Sequence, residues 1–409
     1  MSKIKSITAR EIKDSRGKPT VEVELETEKG TFVASVASGA STGENEALEL
    51  RDADGRGVST AIRNINEIIA PKLKGSDVLN QKGIDELMIS LDGTENKSKL
   101  GANAILPVSI AVCRAGAAAN KVSLFMHIAE LAGSPLSVGH YQLPLAMFNI
   151  LNGGAHAKND LDIQEFMIIP HKKTFVENLV VCNKVFNTLK SIISKNFGVE
   201  HLELGDEGGF APPIATAEQA LYLLKNASVG EAEIKFALDC AASEFCENGR
   251  YNLEGREMTK VELLEFYEGL VNSFPIVSIE DPFSEEDWQG FESIVRQLGK
   301  KIIVVGDDLT TTNIKKIKEA HSKLACNGVI LKLNQIGTVS ETIEASNMAK
   351  SFGWKTIVSH RSGETMDNFI ADLSVGLKAD YLKAGSPAKP ERMVKYQRLL
   401  EIEQELNKK

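Results

Sequence analysis

Residues 302–332 read IIVVGDDLTTTNIKKIKEAHSKLACNGVILK. An apolar run, 302–306, stops at Asp307, a stretch of helical pattern follows, and a second apolar run, 329–331, stops at Lys332. Short apolar runs bounded by turn residues and separated by helices mark buried strands joined by crossovers. The pattern extends both ways. Run 234–238 leads to Asp239, 275–279 to Glu280, 355–359 to His360, and 380–382 to Lys383. Strands alternating with helices predict a parallel sheet. In a closed barrel the carboxyl ends of such strands face one mouth, so three carboxylates, two amines and an imidazole converge there.

The preceding region has a different period. Residues 20–27, TVEVELET, alternate Val21, Val23 and Leu25 with Glu22, Glu24 and Glu26, a strand with one wet face. Lys29-Gly30 turns the chain into 31–37, and 4–12 supplies a third strand. Helical patterns follow at 58–69, 83–90 and 102–119. The expectation is an N-terminal α+β domain, residues 1–133, with a three-stranded antiparallel sheet plus helices. The pattern changes at Gly133-Ser134-Pro135. An α/β barrel over 134–409 follows, closed by a helix from Pro390 to about Leu406.

Composition narrows the function. With 409 residues, a net charge of −9 and a pI near 5.5, the chain lacks the basic surface that grips nucleic acid. Five cysteines (Cys113, Cys182, Cys240, Cys246, Cys326) without a CxxC pair fit reduced buried thiols. A cytoplasmic location follows, and the first residues lack the apolar core of a signal peptide. The small-residue stretch 101–119 contains Asn103, Pro107 and Arg114, which suits a buried helix better than a membrane span.

The strand ends carry the chemistry. Asp239, Glu280 and Asp307 are hard oxygen ligands suited to a magnesium-like ion. Lys332 points inward, where nearby cations such as Lys383 favour the neutral amine and hence a base. A lysine there could equally form a Schiff base with a carbonyl substrate. Gly205 to Phe210 is a glycine-rich turn that holds Glu207, while Gln164-Glu165 and His156 flank the same region. Residues 359–364, SHRSGE, combine Arg361 and Ser362 at a strand-to-helix junction, a composition that binds phosphate. Residues 38–43, SGASTG, form a second small-residue loop. No GxxxxGK[ST] or GxGxxG motif accompanies these loops, which disfavours a nucleotide.

Twelve blocks in one order resemble the enolase family: DSRGKPTVEVEL, SGASTG, LGANAIL, NILNGGAHA, QEFMIIP, GDEGGFAP, ALDCAASEF, SIEDPF, GDDLTTTN, LKLNQIGT, VSHRSGET and KAGSPAKPERMVKYQRLLEIE. The resemblance implies an eight-stranded barrel whose first strands and helices are irregular in direction. It implies reversible dehydration of 2-phospho-D-glycerate to phosphoenolpyruvate with two magnesium ions, and Asp239, Glu280 and Asp307 as ligands of the first. It makes Lys332 the base at C2 and Glu207 the acid at C3, supported by Glu165, whose charge is expected to raise the Glu207 pKa. His156, Gln164, His360, Arg361, Ser362 and Lys383 fall on substrate-binding positions. Ser41, in a loop resembling the family's lid, would help hold the second magnesium. A homodimer is implied, with a higher oligomer open, and neither nucleic acid nor membrane insertion. The chain departs at Lys18, at Pro107, expected to interrupt its helix, and at Lys389-Pro390. Two alternatives stay open: another member of the same superfamily acting on a different carboxylate, and a binding protein that keeps the fold. Intact Glu207, Lys332 and Lys383 argue against the latter.

Overall fold

A computed structural model describes residues 2–39, 43, 45–134, 143–231 and 233–408. Strands β1 (Ser6–Lys13), β2 (Pro19–Thr27) and β3 (Gly30–Ser35) form an antiparallel sheet in that order. Its inner face is Val21, Val23 and Leu25, all buried, so the alternation in the sequence is the alternation of the sheet. Helix Ala102–Asn120 packs on β2 and β3. Its Gly116 lets the following helix, Leu124–Leu131, come close, since a Cβ there would meet His127 Nε2 at 2.5 Å. The helix runs on through Pro107, contrary to the expected interruption. It is the one helix among the described residues long and apolar enough to cross a membrane, and 83% of that window is buried inside the protein.

Strands β4 (Leu145–Asn152), β5 (Glu165–Pro170) and β6 (Ile234–Asp239) begin a barrel. A small antiparallel meander interrupts it, made of β7 (Cys246–Glu247), β8 (Arg250–Leu253) and β9 (Arg256–Met258). Strands β10 (Ile276–Glu280), β11 (Ile303–Gly306), β12 (Gly328–Leu331), β13 (Lys355–Ser359) and β14 (Tyr381–Lys383) complete it. The closed order is β10-β11-β12-β13-β14-β4-β5-β6. One feature departs from an all-parallel sheet. Strand β5 runs antiparallel to both β4 and β6. Residues 153–164 hold only a 3-10 turn, Gly154–His156, and without a crossover helix the chain returns beside β4 in the opposite sense.

Met147, Met167, Ile169, Ala237, Val305, Ile330 and Ile357 fill the barrel interior. This apolar plug seals the lower part, so polar side chains collect at one mouth. Helix Pro390–Asn407 closes the chain, and its Tyr396 packs on Phe148. All five cysteines are free. Four are buried, while Cys246, expected among them, is half-buried on the meander.

Candidate active site

Register builds the acidic wall. Glu165 pairs with Asp239 across β5 and β6, and Asp239 pairs with Glu280 across β6 and β10. Three carboxylates thus stand level on three adjacent strands, an arrangement that repels unless a cation intervenes. Because β5 is reversed, its first residue, not its last, reaches the mouth. Lys383, at the end of β14, supplies the cation. Its Nζ lies 2.8 Å from Asp239 Oδ2, 2.9 Å from Glu280 Oε2 and 3.2 Å from Glu165 Oε1. Lys332, just past β12, forms an ion pair with Asp307 Oδ2. The Asp307 pair outweighs burial and raises the Lys332 pKa, which favours the ammonium.

Glu207 stands opposite, in the turn after residue 204. Asn149 Nδ2 donates to its Oε2 at 3.0 Å, and His360 Nε2 lies 3.2 Å from the same oxygen. His156 Nδ1 is 3.7 Å from Glu207 and 4.0 Å from Glu165. Arg392 donates to His360 Nδ1, which fixes the tautomer with the proton on Nε2, facing Glu207. Burial pulls the His360 pKa down to about 4, so the ring is neutral at pH 7. Glu165 and Glu207 split as a coupled pair, but in the sense opposite to expectation. Burial, then the Glu207 charge, holds the Glu165 carboxyl well above the usual carboxylate range. Burial would raise Glu207 too, but His360 and His156 beside it hold it well below. The reason is placement: both imidazoles lean on Glu207, and the proton of the pair falls to Glu165.

Arg361 and Ser362 follow β13. Arg361 donates to Glu46 through Nη1 (2.8 Å) and Nη2 (3.1 Å) and to Asn334 Oδ1 (3.0 Å). Ser362 Oγ accepts from Arg16 Nη1 at 3.2 Å, and Arg16 also bonds the carbonyls of Ser38 and Gly39. Ser38 and Gly363 exchange backbone hydrogen bonds, which ties the root of the small-residue loop to this corner. Ser41 lies outside the described residues.

Lys383 bridges Asp239 and Glu280, while Lys332 pairs with Asp307, so each of the three acids meets an amine. Asp281, Asp307 and Asp308 do place one oxygen each within 4.8 Å of one another. Both oxygens of Asp281, however, accept backbone N-H groups, from Asp307 (2.9 Å) and Asp308 (2.8 Å), so this acid caps a strand end. The donor set nonetheless fits a hard cation. Glu165, Glu207, Asp239, Glu280, Asp281, Asp307 and Asp308 face Lys332, Lys383 and Arg361, and Glu46 already pairs with Arg361. Burial and the Asp239 charge hold Glu280 well above its usual range, and burial with Asp307 lifts Asp308 to about 8. Glu165 Oε2 and Gln164 Oε1 are buried without a hydrogen-bond partner. A surplus of buried oxygen ligands with orphaned atoms suits a divalent ion.

Every expected site residue among the described residues is therefore at one mouth, Gln164 included, whose Nε2 also contacts Asp239 Oδ2 at 3.4 Å. Nothing in the sequence singled out Asn149, Gln335, Glu46 or Arg392. Their partners are remote along the chain, 315 residues away in the Glu46–Arg361 pair.

The barrel with its α+β companion, the paired acids and the amines at the mouth define a lyase that works by proton removal beside a carboxylate. The description "Enolase, N-terminal domain" matches residues 4–128, and "Enolase, C-terminal TIM barrel domain" matches residues 140–409. A curated relative, the enolase of Methanocaldococcus jannaschii, is 49% identical over 413 aligned positions, covering 98% of this chain and 95% of the relative. The chain belongs to the enolase family. It is a hydro-lyase that interconverts 2-phospho-D-glycerate and phosphoenolpyruvate, and its substrate is a phosphorylated small molecule.

Proposed function

We propose that Lys332 removes the C2 proton and Glu207, with Glu165 and His156, handles the departing C3 hydroxyl. The observation that carries this is the strand order. In an eight-stranded closed barrel, β12 and β5 are four steps apart, hence diametrically opposed. Lys332 and Glu165 therefore approach a bound substrate from opposite sides. A base on one face and an acid on the other match the removal of a proton and a hydroxyl from neighbouring carbons.

Arg361 and Ser362 take the phosphate, and His360, Gln164 and Lys383 orient the rest of the substrate. Removing a proton beside a carboxylate builds a second negative charge, which two magnesium ions would compensate; Asp239, Glu280, Asp307 and Ser41 would hold them. Lys332 must lose its proton to act as base, and Asp307, its ion-pair partner, is the group whose charge opposes that loss. A domain division near residue 133, a homodimer and a cytoplasmic location complete the reading.

The test is the ultraviolet absorbance of the conjugated enol product with 2-phosphoglycerate, with and without magnesium. A magnesium-dependent rise is expected. A flat trace from folded protein that binds magnesium would point to a different substrate or a non-catalytic role and overturn this reading.

A further inference from the structure

Asp307 and Arg361, one on the metal side and one on the phosphate side, are joined by side chains that neither half of the chemistry uses. Gln335 is fully buried, two residues past the start of the short helix Leu333–Ile336. Its Nε2 carries two hydrogens, and both are spent on carboxylates: Asp307 Oδ1 at 2.8 Å and Glu46 Oε1 at 3.4 Å. Its Oε1 accepts from Thr312 Oγ1 at 2.7 Å, and that hydroxyl oxygen in turn accepts the backbone N-H of Lys332 at 2.9 Å. Chemistry fixes the amide's orientation, since a flipped amide would aim its oxygen at two carboxylates.

The backbone is held in an unusual shape to make this possible. Thr311 and Thr312 are fully buried and both have positive φ, 44° and 55°. β-branched residues avoid that region, and two in succession persist only where the surroundings over-determine them, commonly beside active sites. Here the kink points the Thr312 hydroxyl into the bridge.

We propose that Gln335, oriented by Thr312, is a positioning residue that makes the Asp307 carboxylate and the Glu46–Arg361 pair a single unit. Gln335 occupies one oxygen of Asp307 and leaves the other for Lys332 or a cation. Through Glu46 it holds the Arg361 guanidinium in place for the phosphate. The inference rests on the proposed roles of Asp307 and Arg361.

The experiment compares wild type with Q335M, which keeps the volume and loses every hydrogen bond. Three quantities are read: melting temperature, Mg2+ affinity of the substrate-free protein by calorimetry, and KM and kcat for 2-phosphoglycerate. Outer-shell partners of metal ligands typically contribute 10–100-fold in affinity, so Mg2+ binding should weaken by about tenfold or more while Q335M stays folded. KM should rise, and the Q335M and E46Q effects on KM should be non-additive because they cut one chain of contacts. T312A should reproduce a weaker form of the Mg2+ defect, and T312S, which keeps the hydroxyl, should restore wild-type affinity. That pair decides the question if Q335M does not fold. Mg2+ affinity and KM within about twofold of wild type in folded Q335M would overturn the proposal, as would additive effects with E46Q. Wild-type protein that binds Mg2+ without turning over 2-phosphoglycerate would instead overturn the functional roles, and the Mg2+ comparison would still decide Gln335.

Discussion

Two sets of buried charges can be compared in this molecule: those along the seam between the N-terminal part and the barrel, and those at the barrel mouth. At the seam the charged side chains find partners, Arg114 and Lys97 an opposite charge and Asp85 neutral donors. Arg114 holds Asp367 at 2.7 and 2.8 Å, Lys97 holds Glu341 at 2.9 Å, and Asp85 accepts from Gln81, Ser340 N and Ser340 Oγ. At the mouth acids outnumber bases. Buried charge is tolerated where it is paired and costly where it is not. The seam is therefore built for stability and the mouth for charge yet to arrive.

The sharpest break in this contrast is K332A. The loss of a positioned general base should lower turnover by up to about 10⁴-fold and abolish C2 proton exchange with solvent. Persistent exchange, followed by deuterium incorporation, would remove Lys332 from that role. The seam counterpart is D367A. It removes the carboxylate partner of the half-buried Arg114 guanidinium, which keeps Val33 O and Asn368 Oδ1, and losing these charge-assisted bonds should cost about 1.5–3 kcal/mol, read as a lower midpoint in denaturant unfolding. A loss below about 1 kcal/mol would show that the seam is not held by this pair.

Asp367 at the seam and Asp308 at the mouth should also respond to pH with opposite signs once metal is chelated. At the seam, burial opposes ionisation of Asp367, but Arg114 outweighs it and the folded pKa lies below the unfolded value. Its stabilisation is present above about pH 4 and lost as pH falls through the folded pKa. At the mouth Asp308 is raised to about 8, so its contribution is present below about pH 4 and lost as pH rises toward 8. Melting curves across this range should show D367N flattening the acid limb and D308N the alkaline limb. Added Mg2+, which favours the ionised carboxylates, should remove the alkaline loss alone.

What could be read beforehand follows the same division. Strand ends were legible because a short apolar run needs only local pattern, and the charged residue that stops each run is local too. Asp239, Glu280, Asp307, Lys332, His360 and Lys383 were found in that way. The direction of β5 was not legible from the pattern, since QEFMIIP reads the same upward or downward, and only the missing crossover helix reverses it. The inverted Glu165 and Glu207 pKa shifts depend on where two imidazoles lean, and Arg392 reaches His360 from the last helix. Such facts are set by tertiary packing and leave no trace in spacing.

The smallest expected effect tests whether burial, and not merely crossing the seam, gives the paired charges their weight. Lys315 and Glu95 also link the two parts, at 2.6 Å, but their side chains are 75% and 82% exposed. Water already solvates both groups, salt screens the attraction, and ordering two long side chains offsets what remains. E95A should leave the melting temperature unchanged within error at physiological salt, whereas D367A lowers it clearly. The pair is shorter than the Lys97–Glu341 contact and yet should matter less, because distance sets the Coulomb term while dielectric sets its scale. A measurable loss in E95A that vanished at high salt would mean that long-range charge, in addition to buried pairs, holds the seam together.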